Sequence, residues 1–129
     1  MASIRDYFHH SGDRERAIDI ERDYLTVKDL RTQERVPRLQ LNEIDNDFFS
    51  RRVLSSPDSL ERHTEPAKPS HRRIAEAATL ASNKVKELAQ LTNRPTDYLV
   101  DWIEYLRTKV KVIWVAVPDY ANAFTIFET

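Results

Sequence analysis

Apolar residues recur every three to four positions through the second half of the chain, whereas much of the first half shows short alternating runs. In 71–81, Ile74, Ala77, Ala78 and Ala81 fall at i, i+3, i+4 and i+7, one face of a helix that Ser70 can cap. Val85, Leu88 and Ala89 form a second stripe behind Asn83, which can cap a separate helix. That stripe stops at Thr92-Asn93-Arg94, a tight turn in which Asn can take the left-handed conformation. Pro95 suits the first turn of a third helix, because its missing N–H has no partner there. The third helix presents Leu99, Trp102, Ile103 and Leu106 as its core face, and Leu88 joins them. Val110 to Val117 is almost wholly β-branched or aromatic. A polar turn over 118–123 then leads to Phe124-Thr125-Ile126-Phe127, which predicts a closing β-hairpin.

The first half is less regular. Residues 1–17 are polar and charged apart from Tyr7 and Phe8, and suggest a loose or short helical arm. Ile18 and Ile20 alternate with Asp19 and Glu21, and Tyr24 to Lys28 and Leu39 to Leu41 follow around a polar centre. This predicts a β-hairpin over 18–41, with Pro37 confining its second strand to an edge. A charged helix over 13–35 competes with it. Ile44, Phe48, Phe49 and Val53 predict a helix over 42–54 with Asn42 as a cap. Pro57, Pro66 and Pro69 make 55–70 a linker. The expected class is therefore α+β: an extension over 1–54, the linker, and a module of three helices and a hairpin over 71–129.

Composition narrows the chemistry. With 129 residues there is room for one modest core, and the absence of Cys excludes disulfides, thiolate catalysis and Cys-based zinc sites. It also fits an intracellular, cytoplasmic protein. A single glycine, Gly12, cannot build a phosphate-cradling loop of the P-loop or dinucleotide type. No run reaches the ~18 apolar residues of a membrane span, and the start lacks the apolar core of a secretory signal. The net charge of −1 gives no overall pull toward nucleic acid.

The segment Val85-Lys86-Glu87-Leu88-Ala89-Gln90-Leu91-Thr92-Asn93, with Leu99, Trp102, Ile103 and Leu106 behind it, resembles the second helix, turn and recognition helix of the winged helix-turn-helix family. Lys109 stands where that family begins its wing, and the resemblance covers about residues 70–129. Asn93 and Val110 occupy positions where the family usually has Gly. The resemblance implies a small DNA-binding or transcription-regulatory protein that reads double-stranded DNA with the third helix.

Candidate DNA contacts are Arg72, Arg73, Lys84, Lys86 and Arg94 near helix starts, Thr96 on the third helix, and Lys109 and Lys111 at the wing base. Against them, the outward face of the third helix should carry Asp97, Asp101 and Glu104, and such charges repel phosphates. The closing hairpin is apolar on both faces, so Trp114, Phe124 and Phe127 are candidate interface anchors for a homodimer or a protein complex. The alternative reading is a non-catalytic adaptor holding protein partners.

Catalysis finds little support. His9 and His10 are adjacent and cannot share one metal well, and His63 and His71 fall in or beside the linker. Asp19, Glu21, Asp23 and Lys28 match no nuclease spacing, and no Gly-based nucleophile elbow exists. No enzymatic activity, cofactor, metal, small-molecule substrate or membrane is expected.

Overall fold

The computed structural model describes residues 1–113. The described chain is α-rich with one two-stranded antiparallel sheet, an α+β architecture at the coarse level. It begins with helix α1 (Ala2–His10), turns at Gly12, and continues into α2 (Arg14–Ile20). Gly12 takes φ +91°, a conformation open to glycine and strained for most side chains. Asp13 caps α2 by accepting from the Arg16 amide at 3.2 Å.

Helix α2 runs straight into a π-helical turn, Glu21–Leu25, where the expected hairpin should have had its first strand. The reason is periodicity: Ala17, Ile20 and Tyr24 lie at i, i+3 and i+7, and a good cap precedes them. Ala17 and Ile20 are buried while Ile18 is 63% exposed, so helix and not strand spacing sorts these residues. The hairpin survives only at its far end, as β1 (Thr26–Lys28) and β2 (Arg35–Pro37), with Val27 opposite Val36. Asp29 organises its loop by accepting from the Arg31 and Thr32 amides.

The expected 42–54 helix forms from Asn46, as α3 (Asn46–Phe49) and a π-helical turn, Ser50–Leu54. The segment read as a linker holds a 3-10 turn, Leu60–His63, and packs against the protein.

Residues 69–90 form one helix, α4 (Pro69–Gln90), in place of the two expected. No Gly or Pro interrupts the stretch, and the inward stripe keeps phase across the supposed break: Ala78, Ser82, Val85 and Ala89 follow one another at three or four residues. Asn83 is an exposed interior residue and not a cap. Ser70 does not cap α4 either, because its hydroxyl donates to the Asp45 carboxylate at 2.7 Å.

A short turn, in which the Thr92 hydroxyl accepts from the Arg94 amide, leads to α5 (Pro95–Lys109). Pro95 occupies the first turn as expected, whereas Asn93 does not adopt a positive φ. The hairpin expected after α5, with Trp114, Phe124 and Phe127, lies outside the described residues save for Val110–Ile113. Those four are non-repetitive and exposed.

One core among the described residues joins the first two helices to the last two. Ile4 and Phe8 of α1, Ala17 and Ile20 of α2, Val85 and Ala89 of α4, and Leu99 and Ile103 of α5 form a single buried cluster. Phe8 and Leu99 are the largest fully enclosed side chains. The arm expected over 1–17 is thus part of the core, and the core crosses the 55–70 segment. Leu88, Trp102 and Leu106, expected inside, are only half-buried.

Candidate functional site

Arg5 fixes the walls around α4. Its guanidinium is 3% exposed and donates to Asp6, to Glu21, and to the carbonyls of Val53, Leu54 and Ser55. These carbonyls end the π-helical turn and lack helical partners, so a buried cation satisfies several of them at once. The arrangement holds 50–55 against α1 and leaves clefts on two sides of α4.

The first cleft is apolar. Ile74, Ala77, Ala78 and Ala81 of α4 form its floor, and Leu25, Leu39, Leu41, Phe49, Val53 and Leu54 form its walls, around about 540 Å³. The sequence predicts this alanine face as inward, which holds for the half-buried Ile74 and Ala78 and not for Ala77 and Ala81. The opposing wall was not legible in the sequence, because Leu25, Leu39 and Leu41 read there as strand residues. Leu39 remains 58% exposed, and Ala77 and Ala81 are exposed too. The second cleft, between α1, α4 and residues 52–63, is polar and of about 360 Å³.

The outward face of α5 carries Asp97, Val100, Asp101, Glu104 and Tyr105, all exposed. Arg94 pairs with Asp97, and Arg107 with Glu104 at 2.8 Å. Glu104 holds the Arg107 guanidinium above its ordinary pKa by hydrogen bonding. Tyr98, Trp102 and Tyr105 line a shallow depression beside Asp101, with the Trp102 and Tyr105 rings edge-on at 5.6 Å. The surface combines aromatic area with negative charge.

The candidate DNA contacts do not converge. Arg72 and Arg73 lie exposed near the start of α4, and Lys86 lies 14 residues on, about 21 Å along a helix. Lys84 and Lys86 point about 200° apart around the axis. Lys84 is paired with Glu87 at 3.0 Å, while Lys86 lines the polar cleft. Arg94 is paired at the opposite end of α4, Thr96 is partly buried, and Lys109 and Lys111 are exposed at and beyond the end of α5. Trp114, Phe124 and Phe127 lie outside the described residues.

Two of the four histidines, His9 and His71, and the acids Asp19, Glu21 and Asp23 make contacts within the fold. His9 Nε2 meets Asp58 at 2.7 Å, and this contact holds the Asp58 carboxyl below its usual range. His71 is buried within α4 and stacks on Phe48, with centroids 4.3 Å and planes 3° apart. Its Nδ1 accepts from the Ala67 amide and its Nε2 faces the Ile44 carbonyl, both at 3.4 Å. Asp45 beside it is held below the ordinary carboxylate range, first by the Ser70 hydroxyl, then by Asn42 and the charges of His71 and Lys68. Asp19 and Asp23 flank Arg22, and Glu21 accepts from Arg5. Among the described residues no group of three or more His, Asp or Glu side chains is placed to hold a metal, and no helix is long and apolar enough to cross a membrane.

No family model, curated protein or solved structure matches the chain.

Proposed function

We propose that this protein is a non-catalytic adaptor that docks a protein partner on the apolar groove beside α4. The observation that carries the reading is the groove itself: about 540 Å³, with apolar side chains on floor and both walls, and part of its floor still exposed. A partner segment with apolar residues on one side, such as an amphipathic helix, matches a groove of that kind. The acidic and aromatic outer face of α5 supports protein contact and opposes phosphate contact.

Double-stranded DNA binding is the second reading. Arg72, Arg73, Lys109 and Lys111 favour it, being exposed and without ion pairs among the described residues. A winged-helix arrangement belongs to this reading. The short turn between α4 and α5 supports it, and with α4 unbroken its first helix would come from α1 or α2.

Two measurements separate the readings. A photocrosslinking residue at Ala77 should yield a defined protein adduct that disappears with Ala81→Glu and is absent when the probe sits at Arg31. An adduct of twice the 15.2 kDa chain mass identifies the partner as a second copy, a homodimer. Duplex DNA at low salt should bind weakly or not at all. Tight binding with a steep salt slope, lost on replacing Arg72 and Arg73, overturns the adaptor in favour of the DNA reader.

A further inference from the structure

The polar cleft between α1, α4 and residues 52–63 adjoins the apolar groove, sharing Val53 and Ala78 with it, and its charged lining is chemistry of another kind. Arg52, Arg62 and Lys86 contribute three fixed positive charges to its lining, with His10 and His63 beside them, against the one carboxylate of Asp6. Asp6 is already committed, accepting from both Arg5 and Arg62. The two cleft arginines are locked in place by each other: Arg62 donates to the Arg52 carbonyl at 2.9 Å, and Arg52 donates to the Arg62 carbonyl. Side chains held this way lose little freedom when they receive a ligand.

Two polar groups belonging to these lining residues remain uncommitted. The Nε–H of Arg62 is buried and has no hydrogen-bond partner, the only such side-chain atom among the described residues. A buried guanidinium donor of this kind calls for an acceptor. Lys86 makes no ion pair among the described residues, unlike Lys84 two positions earlier. Ser3 and Ser82 add hydroxyls to the same lining.

We propose that this cleft binds the phosphate of a small phosphomonoester, with Arg52, Arg62 and Lys86 as its cationic contacts. A doubly charged phosphoryl group has the acceptor oxygens that forked guanidinium groups match, and it fills the surplus of positive charge that Asp6 leaves. The cations line a concavity between three chain segments, Arg52 and Arg62 half-buried and Lys86 exposed at its edge. They do not form the row along an open face that a nucleic-acid backbone follows. The volume, about 360 Å³, lies at the lower end of the ~300–1,000 Å³ range of small-molecule sites.

The test is a titration of the full, ¹⁵N-labelled chain with inorganic phosphate and with adenosine 5′-monophosphate, chloride balancing the ionic strength. Saturable movement of the Arg62 Nε–H signal and of the Ser82 amide is the expected result, with the unfolding temperature rising with ligand concentration. Tighter binding of the nucleotide assigns the site to a phosphomonoester, and equal binding assigns it to the bare anion. Lys86→Met, at an exposed position, should weaken binding several-fold with the fold intact. Ser82→Asp should abolish it, and the pair Arg72→Gln and Arg73→Gln should leave it unchanged. Signals that move no more with phosphate than with chloride overturn the proposal, as does an unchanged affinity in Lys86→Met or an equal loss in the Arg72 and Arg73 variant.

Discussion

Val85 and Ala89 are sealed in the core, whereas Ala81 and Ala77, one and two turns earlier on the same helix, remain exposed at the floor of a groove. The two halves of α4 share one stripe and one hand of helix, and they differ in what lies across from them. Helices α1, α2 and α5 close over the C-terminal half with Phe8, Ile20, Leu99 and Ile103. The N-terminal half meets the walls formed by Leu25, Leu39, Phe49 and Val53, which stand apart and leave the floor uncovered. An apolar stripe therefore reports which side of a helix faces protein, and leaves open whether the facing surface closes on it.

The strongest way to break the sealed half is to remove what fills it. Phe8→Ala should destabilise the protein by about 3–5 kcal/mol, as for other enclosed large aromatics, and Leu99→Ala by about 2–5 kcal/mol. Chemical denaturation of purified variants measures both, and a loss below about 1 kcal/mol would place these side chains outside the core.

Enlarging an alanine sharpens the contrast. Ala89→Leu forces extra atoms into a filled interior and should cost about 1–3 kcal/mol, whereas Ala77→Leu enters open groove and should stay within about 0.5 kcal/mol. Equal costs at the two positions would mean that the groove is closed in solution.

The smallest expected effect concerns Asp45, which ties the start of α4 to the 42–46 turn through Ser70. Its folded-state pKa is depressed, so the group contributes stability that is present above the ordinary carboxylate pKa of about 3.9 and is lost as pH falls through the lower folded value. Asp45→Asn should flatten the acid limb of a stability-against-pH curve below about pH 4 and leave the core unaffected. An unchanged acid limb would show that other carboxylates set it.

How far the sequence told this in advance varies with the physics of each segment. Helix α5 was legible with its Pro95 start and with Leu99 and Ile103 inside, because the spacing of Leu99, Trp102, Ile103 and Leu106 holds for about two turns behind a proline start. Its fine detail was not, since the same spacing admits Trp102 and Leu106, which are half-buried. The 18–25 stretch was misread because Ile18-Asp19-Ile20-Glu21 satisfies period two over four residues. The longer helical set Ala17, Ile20 and Tyr24 satisfies period 3.6 over eight.

Helix α1 was underrated because Ile4 and Phe8 make a single i, i+4 pair, too short to register among Ser3, Arg5, Asp6, His9 and His10. Of the three cations lining the cleft beside α1, only Lys86 was a candidate in the sequence, and Arg52 and Arg62 were not. Arg52 and Arg62 are held together by each other's backbone carbonyls, and Arg62 by Asp6, contacts that leave no mark on spacing.

The core's membership also has a consequence in time. Ile4 and Phe8 are made first and find Leu99 and Ile103 only after nearly a hundred further residues have been added. During synthesis, proceeding from the N-terminus at about 5–20 residues per second, the first two helices therefore wait with their apolar faces uncovered. Contacts of such long sequence separation slow folding, since the ends of a long loop must meet before any gain is realised. Nor can Arg5 serve the carbonyls of Val53, Leu54 and Ser55 until those residues have left the ribosome and folded back. The N-terminal helices are thus made early and enclosed late.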